Sequence, residues 1–170
     1  MGAVPRHPQP SFARRSRRAT ARPAGFTLLE VLLALAVVSV VAAMAIPSYQ
    51  RYRERVRVTQ AANEIASMGV TIAQFATTTR AMPETLDAVG LGSRLDPWGR
   101  PYRYLDLTTQ SGKGGARKDK KLNPLNSDFD LYSVGKDGET KLPLTPKVSH
   151  DDVVRALDGR FVGLAEEFDP

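Results

Sequence analysis

Residues 26–75 read FTLLEVLLALAVVSVVAAMAIPSYQRYRERVRVTQAANEIASMGVTIAQF, and two compositions follow one another there. From Phe26 to Ile46 nearly every side chain is apolar. A helix over that run rises about 30 Å at about 1.5 Å per residue, enough to cross the hydrocarbon of a bilayer. Beyond Pro47, the residues Tyr49, Tyr52, Val56, Ala62, Ile65, Met68, Ile72 and Phe75 recur mostly at steps of three and four, the spacing of one helical stripe. Arg51, Arg53, Glu54, Arg55 and Arg57 occupy the other faces near its start. The pattern predicts one helix of about 50 residues, apolar in its first half and amphipathic in its second. Pro47 withdraws one backbone donor, so a kink or a loosened turn is expected there. The alternative is a secretory signal cut near Ala43 and Ala45, but the apolar run is long for one and the period continues past it.

The rest of the composition narrows the choice. The formal charge is +6, and six arginines in residues 1–25 (Arg6, Arg14, Arg15, Arg17, Arg18, Arg22) account for all of it. A basic arm can hold phosphates, but ahead of an apolar helix it reads as a cytoplasmic anchor under the positive-inside bias. Nucleic acid is therefore not an expected partner. Residues 1–24 have no apolar period and read as a disordered, removable leader. The chain has no cysteine, which excludes disulfides, thiolate metal sites and a cysteine nucleophile. Hydrophobic residues are 42% of the 170, yet the 26–46 run takes many of them, so the remaining core is small.

Downstream, Pro83 to Val89 reads as a short helix closed by Gly90 and Gly92, and Asp96-Pro97-Trp98-Gly99 as a turn. Tyr102–Leu107 and Phe129–Val134 alternate as strands do and are expected to pair antiparallel across a solvated, lysine-rich loop, residues 111–127. Tyr102 and Tyr104 share a strand face toward the long helix. Ser149 is placed to cap a helix from about His150 to Leu157, with Asp151 and Asp152 in its first turn. Residues 160–168 read equally as a strand or a short helix.

Glu30 is the anomaly of the apolar run. A carboxylate inside a membrane span costs roughly 2.5–3.5 kcal/mol on insertion scales, and no Lys or Arg lies between Phe26 and Tyr49 to offset it. Cleavage after Gly25 would create an amine on Phe26, which Glu30 could meet in its own chain or in a neighbour. Snorkelling to the interface is the other possibility.

Gly25-Phe26-Thr27-Leu28-Leu29-Glu30 resembles the class III signal of type IV pilins and type II secretion pseudopilins. The resemblance implies that a prepilin peptidase cuts after Gly25 and methylates Phe26, that Glu30 is the assembly residue, and that Pro47 matches the family's helix proline. Residues 96–102 and 128–138 are similar to the major pseudopilin of type II secretion, whose members typically bind calcium where pilins have a disulfide. That likeness implies Asp137 with one or both of Asp151 and Asp152 as calcium ligands, helped by carbonyls near Leu131 to Val134. The residues themselves leave the alternative open, a turn at Asp137 and a helix N-terminus at Asp151-Asp152. Residues 139–150 depart from the family pattern, and no EF-hand loop occurs. Lys113 to Lys118 is too poor a match to a phosphate loop to carry one. His7 and His150 are too few for a zinc site, and no hydrolytic motif is present, so no enzyme is expected.

The expected fold is α+β: a long N-terminal helix packed on a small antiparallel sheet with irregular C-terminal loops. Its divisions are a leader (1–25), a transmembrane and assembly half-helix (26–48) and a periplasmic domain (49–170). The resemblance implies a structural subunit of a type II secretion pseudopilus, a filament that drives protein export, held in the bacterial inner membrane as a single-pass protein with its C-terminal domain periplasmic; the alternatives are a type IV pilus subunit and a signal-anchored periplasmic binding domain. Its partners would be other copies, prepilin peptidase, an inner-membrane assembly platform and minor pseudopilins. In membranes of cells with active prepilin peptidase, N-terminal sequencing and intact mass should give a chain beginning at methylated Phe26. A start near Met1 or near Ala45 would contradict this reading.

Overall fold

The computed structural model describes residues 25–109 and 114–168; the leader up to residue 24 and the tip of the long loop lie outside the described residues. The chain divides into two units, Met1–Ala43 and Met44–Pro170. Helix α1 spans Leu28–Thr79 and carries Pro47 in its interior, so the missing donor does not end it. Two polar side chains near the proline and upstream of it are satisfied locally: Ser39 donates to the Leu35 carbonyl at 2.7 Å and Ser48 to that of Met44 at 3.1 Å. The helix ends where Arg80, at φ 60°, turns the chain out of the helical region.

Within the second unit, α1 buries Ala61, Ile65, Met68 and Ile72, at steps of four, three and four. The expected stripe holds for Ile65, Met68 and Ile72 but not for its start: Tyr49, Tyr52 and Val56 are exposed, and Ala62 and Phe75 are half-buried. Periodicity marks a face but not how far the partner surface extends along it. Here the partly buried Val58 marks where packing begins.

That partner is a four-stranded sheet, β1 (Arg103–Asp106), β2 (Phe129–Ser133), β3 (Val153–Ala156) and β4 (Phe161–Leu164), in the order β1-β2-β3-β4 with every pairing antiparallel. The β1–β2 pair is the one the alternation predicts, with Tyr104 opposite Leu131. The expected helix from His150 to Leu157 is instead β3. All four of its residues are buried and it is paired on both edges, which suits the β-branched Val153-Val154 better than a helix would. Ser149, expected as a cap, donates to the Lys141 carbonyl and accepts from its N–H. The ambiguous C-terminal stretch is both things, β4 and then one 3₁₀ turn, Ala165–Glu167. The short helix expected from Pro83 is likewise a single 3₁₀ turn, Leu86–Val89, closed by Gly90 at φ 71°.

Covering both faces makes β3 central. Val153, Phe129, Leu131 and Tyr102 pack with the α1 stripe, Leu86 and Leu91. Val154 and Ala156 face the other way, onto Leu125, Leu144, Ala165 and Phe168. Tyr102 and Tyr104 both reach the helical side, as expected: Tyr102 donates to Glu64 at 2.5 Å and Tyr104 to the Pro83 carbonyl at 2.9 Å. Burial, reinforced by Glu64, pushes the Tyr102 hydroxyl far up, so it remains a donor. Half-buried Trp98 closes the Asp96–Gly99 turn against α1 by donating to Glu54 at 3.0 Å.

Ile65→Ala should cost about 2–5 kcal/mol, as large-to-small changes in packed cores do. Val38→Ala, on the half of the helix that packs against nothing in this chain, should leave the thermal melt of the sheet domain unchanged. Tm by near-UV circular dichroism checks both.

Candidate assembly site and the loop around Asp151

The start of α1 is organised by a cap that the sequence reading missed. The Glu30 N–H donates to Thr27 Oγ1 at 3.2 Å, and the Val31 N–H to the Thr27 carbonyl at 3.2 Å. Thr27-Leu28-Leu29-Glu30 has the spacing of a capping box, a signal legible in the residues. It places Glu30 in the first turn, where the helix dipole favours an acid. Gly25 and Phe26 precede the helix and are exposed. From Phe26, 82% exposed, to Ile46, 56% exposed, no residue is buried. Leucines and valines face outward all round the helix, and no ion pair to Glu30 exists among the described residues. A wholly apolar helix needs lipid or other helices around it.

The three carboxylates expected at a calcium site do not converge. Asp151 Oδ2 accepts the backbone N–H groups of Lys136 (2.7 Å) and Asp137 (2.9 Å), which fixes the turn after β2. Gly135 in that turn has φ 63°, and a Cβ there would run into the Asp151 carbonyl. Asp137 Oδ1 accepts from the Glu139 N–H. Asp152 points inward, fully buried, with Oδ2 accepting from Arg117 at 2.6 Å and from Thr140 at 2.6 Å. Burial pushes Asp152 up to about 6, against the pull of Arg117. Among the described residues no three acidic or histidine side chains gather closely enough to hold a metal ion. Calcium needs six to eight oxygens, and these residues, engaged with N–H groups and a guanidinium, do not fit it.

A second polar cluster pins the far end of β2. Arg155 forms a two-pronged ion pair with Asp128, at 2.8 and 2.7 Å, lies over the Phe129 ring at 3.9 Å and donates to the Phe129 carbonyl. Beside it Asp158 accepts from the Ser127 N–H at 2.7 Å and its hydroxyl at 2.9 Å. The Ser127 N–H holds the Asp158 carboxyl below its ordinary range, against a smaller opposing effect of burial.

Comparison with known proteins places this geometry. Residues 21–46 match the family model described as the prokaryotic N-terminal methylation motif. The chain is 30% identical over 151 residues to the type IV major pilin protein PilE1 of Neisseria gonorrhoeae, covering 81% of this chain and 87% of that one. It is 26% identical over 136 residues to type II secretion system core protein G of Pseudomonas aeruginosa, covering 68% and 84%. Likeness to a fimbrial protein of Pseudomonas aeruginosa reaches 43% but over 44 residues only, 26% of this chain. No solved structure matches.

Because the folded pKa of Asp158 is depressed, its stabilisation is present above the ordinary carboxylate pKa of about 4 and is lost as pH falls through the folded value. Asp158→Asn, which tolerates the observed φ of 55°, should lower Tm at pH 7, where that stabilisation is present, and flatten the acid limb of a Tm-versus-pH curve below about pH 4, so that the two curves converge in acid.

Proposed function

The chain belongs to the type IV pilin and type II secretion pseudopilin family, and from that premise we propose that it is the structural subunit of a secretion pseudopilus. The observation that carries the reading is the bare half of α1, apolar on every face and headed by one carboxylate, in a chain whose other half is packed and complete. Such a helix has two environments open to it, the bilayer before assembly and neighbouring copies after it.

The order of events follows from electrostatics. In the bilayer the Glu30 carboxylate carries an insertion cost of roughly 2.5–3.5 kcal/mol. Removal of the leader after Gly25 places a new positive amine on Phe26, at the same end of the helix. When a second copy aligns its Phe26 amine with Glu30, two charges in a low-dielectric setting neutralise each other, at one axial stagger and no other. The interaction therefore sets register, while apolar packing between half-helices supplies the bulk of the contact. The sheet domain coats the outside. It stands on the periplasmic side of the inner membrane, and the machinery that adds copies comprises an assembly platform and minor pseudopilins. The subunit works by assembly rather than by catalysis.

Likeness to core protein G along most of the chain, together with the absence of cysteine, supports the secretion branch. The likeness to PilE1 supports the second reading, a type IV pilus subunit. Deleting the gene and assaying export of folded proteins against surface piliation separates them: loss of export with pili intact supports the first, loss of pili alone the second. Glu30→Leu should abolish filaments in cells that assemble the wild type, without moving the Tm of the sheet domain. Normal filaments from Glu30→Leu would remove the charge from the mechanism.

A further inference from the structure

The segment from Gly135 to Asp152 is long and has one short regular element, the 3₁₀ turn Lys147–Ser149, yet arginines hold it at both ends. Arg117 is 1% exposed. Its own N–H donates to Asp130 Oδ2 on β2 at 2.6 Å, which pins the backbone at that point. Its guanidinium crosses the Tyr132 ring at 4.5 Å and ends on three acceptors: Asp152 Oδ2, Thr140 Oγ1 and the Lys141 carbonyl at 2.8 Å. The chain beside it follows, with the Lys118 N–H donating to the Leu142 carbonyl and the Leu144 N–H to that of Lys118, both at 2.9 Å. At the other end Arg100 donates to the carbonyls of Gly135 at 2.7 Å and Lys136 at 3.2 Å.

We propose that Arg117, seconded by Arg100, is the fixed cation of this domain, and that guanidinium groups hold the 135–152 segment to the sheet where the resemblance implied a calcium ion, so that the fold does not depend on calcium.

The chemistry favours this assignment. A guanidinium presents several N–H groups in a rigid plane and can serve a carboxylate, a hydroxyl and a carbonyl together, which is close to what a hard cation does with the same oxygens. It is always charged, so the tie needs no ion from solution. A divalent ion brought to Asp152 would sit against that guanidinium and be repelled by it. The residue arrives on the long 107–128 connection between β1 and β2.

The test is thermal unfolding of the full chain in detergent, with millimolar calcium or with excess chelator. Wild type should give the same Tm in both, within about 1 °C, and calorimetric titration with calcium should show no binding. Arg117→Gln should lower Tm by roughly 10–20 °C, the cost of leaving a buried carboxylate unpaired in a domain this size. Arg117→Lys, which keeps the charge without the fork, should recover less than half of that loss. The double variant Arg117→Met with Asp152→Leu, which removes both charges, should recover most of it. A wild-type Tm that rises by several degrees with calcium, or falls with chelator, overturns the proposal whatever the variants do. An Arg117→Gln Tm equal to that of wild type overturns it as well.

Discussion

Four side chains on α1, Ala61, Ile65, Met68 and Ile72, lie between the helix and the sheet, and the domain is arranged around their burial. The small residue at the start of the stripe lets the helix approach, and the three larger ones fill the space above Phe129, Leu131 and Val153. Everything else in the unit follows from giving that stripe a cover. The sheet must present apolar residues to it, and the reverse face of β3 then needs a cover of its own. The loops carrying Leu125 and Leu144 and the C-terminal turn with Phe168 supply it. The three-layer arrangement is the consequence of one helix face and one strand that is apolar on both sides.

The helix that buries the stripe runs unbroken through its first half, where apolar residues cover every face and none is buried. That is why the helix was legible from residues alone, and why the extent of its packed face was not. Leu, Val and Ala repeat closely enough that any face of residues 26–46 would serve as a contact, whereas only one face of residues 58–72 does. Tyr49 and Tyr52 fit the period and still remain exposed, because periodicity is a property of the helix and contact is a property of its partner. Strands β1 and β2 were readable for a related reason, since the mostly alternating pattern in Tyr102–Leu107 and Phe129–Val134, rich in aromatic residues and bounded by turn signals, favours a strand. Strand β3 was not readable. Asp151-Asp152 after Ser149 carries a strong helix-start pattern, and four buried residues are too few to announce their own period. Tertiary cover from both sides overrode the local preference.

The polar interior shows the opposite failure. The long connection between β1 and β2 looks solvated because it is rich in Lys, Gly and Asn, but it buries Ala116, Arg117, Asp119, Leu125 and Asn126. Nothing in the spelling of SGKGGARKDKKLNPLNS distinguishes Arg117 from the lysines around it. The distinction arises only when Asp130 from one strand and Asp152 from the next are brought to the same spot. Neither carboxylate could be buried there without donors, and both have them: Asn126 and the Arg117 N–H for Asp130, the Arg117 guanidinium and Thr140 for Asp152. Buried charges of this kind are resolved pairwise by the fold, so a single chain of letters shows them only as isolated residues of unremarkable type.

Glu30 and Asp152 make a useful contrast, because both are carboxylates that the sequence marked as interesting and the structure treats in opposite ways. Asp152 finds its cation inside the chain, and the domain closes over the pair. Glu30 finds none. Its first-turn position and the Thr27 cap secure the backbone around it, while its charge remains unmatched among the described residues. A protein that could satisfy Glu30 internally would gain stability as a monomer and lose the reason to choose one register among many equivalent apolar ones. Because residues 28–46 offer contacts of nearly equal quality at many axial offsets, apolar packing alone cannot select a single helical stagger. On the function proposed above, one unpaired charge at a fixed height would do so, and the cost of carrying it in the monomer would make the selection strong.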